Sequence, residues 1–116
     1  MTKSIIQQTF EASRQVDEWE VKQRTQYSVF ASAASELGEL ATEIRIDSGD
    51  SYKEPGPDGV IVESIDTILC LIDLIYKTDP TITEAQINEI VSTKLSKWKK
   101  FIEKQHIDDK MKYLRP

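Results

Sequence analysis

Four acidic residues stand in two pairs of equal spacing. Glu36 and Glu39 belong to Glu36-Leu37-Gly38-Glu39, and Glu63 and Asp66 belong to Glu63-Ser64-Ile65-Asp66. Residues three apart on a helix lie one turn apart on the same face, so each pair can close on one cation. Two such helices packed together would bring four carboxylates into one place. Four anions in a half-buried cleft repel strongly unless something positive lies between them. An all-oxygen donor set with no Cys or His suits Mg²⁺, with Mn²⁺ as the alternative, and not Zn²⁺.

The first pair lies in a stretch with a clear helical period. Tyr27, Phe30, Ala34, Leu37, Ala41 and Ile44 step by three and four, which predicts an apolar stripe facing a partner element. Glu36, Glu39 and Glu43 keep the same rhythm one position away, so they flank the stripe; solubilising glutamates more often lie opposite a core. Gly38, in mid-helix, costs about 1 kcal/mol against Ala, and such a glycine usually has a packing or ligand reason. The second pair opens the run 60–76, which is apolar on nearly every side and too long for a strand. It is expected to be a central, buried helix. Glu63, Asp66, Cys70 and Asp73 share one of its faces, and buried acids need a metal, a cation or a hydrogen-bond network. For Asp73 two roles stand open: a salt bridge inside the bundle, for instance to a lysine of the last helix, or an outer-shell position beside the metal.

The remaining elements follow from periodicity and punctuation. A first helix is expected over 2–15, anchored by Ile6, Phe10 and Val16 and capped by Ser4 or Thr2, with a break around 16–20. The segment 47–59, with Pro55, Pro57, Gly49, Gly56 and Gly59, is the one clear loop. It joins the two acidic helices, and Tyr52 and Lys53 place it as a lid over a ligand, against the bland reading of a surface connection. Asp79-Pro80 ends the central helix, and Thr83-Glu84-Ala85-Gln86 has the form of a capping box. The last helix should bury Ile87, Val91, Leu95, Trp98 and Ile102 and present Lys94, Lys97, Lys99, Lys100 and Lys104. Beyond His106 no period is readable, and residues 107–116 form a tail, mobile or docked on a partner subunit.

At 116 residues the chain is expected to be one domain. A net charge of −5 argues against a nucleic-acid polymer as partner. Cys70 cannot form an internal disulfide and is expected to be an inert buried thiol in a reducing compartment. Neither an apolar leader nor a bilayer-spanning run is present in the sequence, so no membrane partner is expected and the location is expected to be cytoplasmic.

These residues resemble the all-α nucleoside triphosphate pyrophosphohydrolases, the MazG-like superfamily. Its signature is E-x-x-E, a variable loop, then E-x-x-D. Glu36, Glu39, Glu63 and Asp66 fit those four positions, with twenty-three residues between Glu39 and Glu63. Ser35-Glu36-Leu37-Gly38-Glu39-Leu40 is similar to the heart of the first motif, and Lys53-Glu54-Pro55-Gly56-Pro57 to the loop of the dCTP pyrophosphatase branch. The similarity covers about residues 23–100. Two positions depart from the pattern. Ser35 stands where many members double the glutamate, and Trp98 stands where that branch has Asn.

The resemblance implies an all-α fold, an antiparallel bundle of four to five helices over residues 1–116, assembled as a homodimer or homotetramer. It implies Mg²⁺-dependent cleavage between the α- and β-phosphorus of a nucleoside triphosphate, with Glu36, Glu39, Glu63 and Asp66 as metal ligands. Lys94, Lys97 and Lys53 would contact the phosphates, with Glu43 and Asp73 outside the ligand shell. The excess apolar surface of 60–76 points independently to an oligomer. The alternative is a non-catalytic helical binding module in which the acids hold a structural ion or a basic partner.

Overall fold

A computed structural model describes residues 2–20, 22–50, 54, 56 and 58–114. All regular structure among them is helical: α1 (Ile5–Trp19), α2 (Gln26–Asp47), α3 (Gly59–Thr78) and α4 (Glu84–Leu114). The all-α expectation is met with four helices. They fall into two units, Met1–Thr81 with α1 to α3 and Ile82–Pro116 with α4. No helix among the described residues is long and apolar enough to cross a membrane.

Local chemistry sets the helix ends. Ser4 caps α1 in a capping box: its Oγ accepts from Gln7 N at 3.1 Å, and its own N–H donates to Gln7 Oε1 at 2.9 Å. The break expected at 16–20 falls later, because α1 runs unbroken to Trp19 and closes with Glu20 N donating to Val16 O. Thr25 and Ser28 form a second reciprocal box at the start of α2. At its far end Gly49 takes φ +79°, a conformation strained for any residue with a Cβ. The Thr83–Gln86 box opens α4 as expected. That helix continues through 107–114, where no period was readable.

In the first unit α2 packs along α3, and α1 packs against α3. The α2–α3 pair is antiparallel: Gln26 Nε2 donates to Thr78 Oγ1 at 2.9 Å at one end, while Glu43 and Ile46 share a cavity with Gly59 and Val60 at the other. Val29 and Ala33 of α2 are buried, as are Thr67, Ile72 and Tyr76 of α3. The Phe10 ring lies 5.3 Å from that of Tyr76 and links α1 to this core.

The predicted α2 stripe is not the face that meets α3. Tyr27, Phe30, Leu37 and Ile44 are exposed, Tyr27 to 78%, and Ala34 and Ala41 are exposed with them. The contact line runs instead through Val29, Ala33, Glu36, Leu40 and Glu43, all buried or half-buried. The periodicity was real, but its apolar side is turned away from α3 and the glutamates are turned toward it. On α3 the expectation of burial all round fails for the same reason. Ile61, Ile65, Ile68 and Ile75 are exposed, while Glu63 is 7% exposed. At about 100° per residue, the α2 row lies roughly 110° round from the contact line, and Ile61, Ile65 and Ile68 lie roughly 140–200° round α3 from Glu63. The apolar rows therefore point away from the α2–α3 contact, on which Glu36, Glu43 and Glu63 lie.

The α4 unit departs from expectation in a similar way. Ile87 is buried, but Val91, Leu95, Trp98 and Ile102 are exposed, as are Ile90, Phe101, Ile107 and Met111.

Candidate metal centre

The acids along the α2–α3 contact form the site. Glu36 and Glu39 come from the middle of α2, where Gly38 adds no side chain and a Cβ there would meet nothing within 4 Å. Glu63 and Asp66 come from the first turns of α3. Glu36, Glu39 and Glu63 each offer a carboxylate oxygen within 4.8 Å of the others. Asp66 joins a different triad, with Glu63 and Asp58, under the same 4.8 Å limit. The acids are therefore arranged as two triads that share Glu63. Their oxygens alone match the donor preference of Mg²⁺ or Mn²⁺.

The electrostatics match a site that wants positive charge. Glu63 Oε2 and Glu36 Oε2 are buried without a hydrogen-bond partner among the described residues. Burial, followed by the charges of Glu39 and Glu36, pushes the Glu63 carboxyl up to about 7. Burial first, and then the neighbouring Glu39 and Asp66, also raise Glu36. Two unpartnered carboxylate oxygens facing like charges are costly for the protein alone. A divalent cation between them removes both costs.

The remaining predicted residues are placed as follows. Glu43 accepts the Gly56 N–H through Oε1 at 3.0 Å and so ties the loop to α2. A Cβ on Gly56 would collide with that carboxylate. Asp73 is ion-paired to Arg24, and it accepts from Ser13 Oγ at 2.6 Å. Cys70 is half-buried, and its thiol is pushed up by burial first and then by Glu36, Asp73 and Asp66. That favours the protonated thiol at neutral pH, and its half-burial falls short of the buried thiol expected. Lys94 and Lys97 lie one turn apart on α4 and are exposed. Lys53 and Tyr52, on which the lid expectation rests, fall outside the described residues.

Asp58 is the member that sequence reading missed. It sits at the N-cap of α3, where an aspartate is ordinarily explained as a cap. The available signal was its position five residues before Glu63 and eight before Asp66. Beside Cys70 and Asp73 a cavity of about 350 Å³ opens, lined also by Gln8, Thr9, Val16 and Arg24. That volume is within the range of small-molecule sites. Compared with protein-family models, curated proteins and solved structures, the chain matches none.

Proposed function

We propose that this chain is a Mg²⁺-dependent nucleoside triphosphate pyrophosphohydrolase of the MazG-like kind, serving to clear nucleotides from the pool. The observation that carries the reading is the convergence of Glu36, Glu39 and Glu63 around buried, unpartnered carboxylate oxygens. These are three of the four acids of the E-x-x-E and E-x-x-D pattern. Mg²⁺ held there would neutralise the triphosphate and lower the pKa of an attacking water.

In this reading Glu63 and Asp66 hold and orient the bound substrate complex from α3, and Glu36 and Glu39 do so from α2. The water oxygen bonds to the α-phosphorus, and the bond from that phosphorus to the α–β bridging oxygen breaks. The nucleoside monophosphate and pyrophosphate leave, and the water's proton passes to Glu36 or Glu39. Lys94, Lys97 and Lys53 are proposed to balance charge on the departing pyrophosphate.

The working form is proposed to be a homodimer or homotetramer. What supports this is the set of exposed apolar side chains of α2 and α3, among them Phe30, Leu37, Ile65 and Ile68. A second copy presenting the same surface would cover them in a self-complementary contact.

Pyrophosphate release from a panel of nucleoside triphosphates, with Mg²⁺ and with EDTA, tests the reading. Release with Mg²⁺ that EDTA abolishes supports it, and no release from any of them refutes it. The second reading, a non-catalytic module with a structural cation, is favoured by the long exposed apolar rows of α4, which suit assembly. It predicts cation binding without turnover.

A further inference from the structure

We infer that Asp58 is a cation ligand, defining with Glu63 and Asp66 a position distinct from the one bounded by Glu36, Glu39 and Glu63. This rests on the cation-binding part of the proposed function and adds a residue outside the repeated acidic pattern.

Three observations carry it. Asp58, Glu63 and Asp66 bring carboxylate oxygens within 4.8 Å of one another. Among the described residues, the Asp58 side chain makes no capping hydrogen bond, although it occupies the N-cap of α3. An Asp there normally accepts from the N–H of the second or third helical residue. Its backbone, at φ −94° and ψ −40°, is helical and not in the extended conformation of a capping residue. The carboxylate is therefore free of the role its position suggests and stands with the other acids instead. Independently of the cluster, Glu63 is only 7% exposed, and its Oε2 lacks a partner among the described residues. A buried carboxylate common to both triads offers a ligand atom to each.

The two triads are alike in exposure, each with one exposed, one half-buried and one buried acid: Glu39, Glu36 and Glu63 in the first, Asp58, Asp66 and Glu63 in the second. A hard cation held beside Asp58 would keep part of its water.

Mn²⁺ titrated into the full chain, with free Mn²⁺ counted by its paramagnetic resonance signal, tests this without turnover. Wild type should bind two ions per chain. Asp58→Asn, which keeps capping ability and deletes an anion, should lose one ion or bind it more weakly by about tenfold or more. Asp58→Glu keeps the charge but moves the carboxylate by one methylene, and it should show the same loss. Full binding by Asp58→Asn, with loss confined to Glu36→Gln, overturns the inference and leaves the proposed function standing. Recovery in Asp58→Glu overturns it also, because Asp58 then acts by charge and not as a ligand. A wild-type chain that binds no Mn²⁺ sinks both.

Discussion

Arg24 grips Asp73 at two points, Nη1 to Oδ2 at 2.6 Å and Nη2 to Oδ1 at 3.2 Å. The pair fastens the connection between α1 and α2 to the middle of α3. Ser13 of α1 donates to the same carboxylate, and Arg24 Nε reaches Asp17 at 2.8 Å. Lys77 of α3 closes the network on Asp17 at 2.9 Å. Helices α1 and α3 and the connection into α2 are thus tied through five side chains.

A double-mutant cycle of Arg24→Met and Asp73→Asn should give a coupling of about 1–2 kcal/mol in urea unfolding. Charged hydrogen bonds contribute somewhat more when fully buried, and both side chains here are about one-fifth exposed. Mn²⁺ binding by Asp73→Asn should match wild type. A weakened ion in that variant would instead give Asp73 an outer-shell role.

Glu39→Gln and Asp66→Asn should each leave the fold intact and lower Mg²⁺-dependent pyrophosphate release by about a hundredfold or more. Each keeps the side-chain shape and removes one anionic ligand. Circular dichroism checks the fold, and wild-type release from Asp66→Asn would remove it from the site.

Metal-free stability should fall as pH rises from about 4.5 to about 7. The Glu63 carboxyl, raised from its ordinary 4.5 to about 7, takes up its proton more readily folded than unfolded. Its contribution is therefore fully present below 4.5 and is lost as pH passes through about 7. The charges facing it are Glu36 and Glu39 of α2 and Asp58 at the start of α3. Asp17 works the opposite way at lower pH. Burial would raise it, but hydrogen bonds from Lys77 and Arg24 outweigh burial and hold it below 3.8, so its contribution is lost only in acid below that value. Thermal unfolding in EDTA from about pH 2 to about pH 8 measures both limbs. Glu63→Gln should flatten the upper limb, and a slope unchanged in that variant would count against the assignment.

Ile65→Glu should turn an oligomer into monomers in sedimentation velocity at micromolar concentration. It places a charge on the exposed apolar flank, far round the helix from the acids. A wild-type chain that is already monomeric and active contradicts the proposed assembly.

Gly56→Ala should destabilise the chain by about 1 kcal/mol, because the new methyl displaces the Glu43 carboxylate that accepts the Gly56 N–H. In a Glu43→Ala background the same change should cost little, since the obstruction is gone. Additive effects in urea unfolding would show that the contact does not matter.

The sequence by itself determined the helices and most of the acids. Caps at Ser4, Thr25 and Thr83 and the turn around Pro80 are local events within a few residues, and they set helix ends almost unaided. The three-residue spacing within each acidic pair was likewise enough to put Glu36 beside Glu39 and Glu63 beside Asp66. Which side of α2 meets α3 was decided only in the tertiary structure. Periodicity shows that a helix has an apolar side without showing what covers it. Here Val29 and Ala33 make the contact, and the stronger stripe from Tyr27 to Ile44 is left outside. The partition of the acids was equally hidden. Asp58 joins Glu63 and Asp66 because the start of α3 brings its carboxylate to theirs, and Glu39 joins Glu63 across an antiparallel contact that no spacing along the chain encodes. Arg24 and Asp73, forty-nine positions apart, meet for the same reason. Local hydrogen bonding is written in neighbouring residues, whereas the pairing of distant charges depends on how whole helices are rotated against each other.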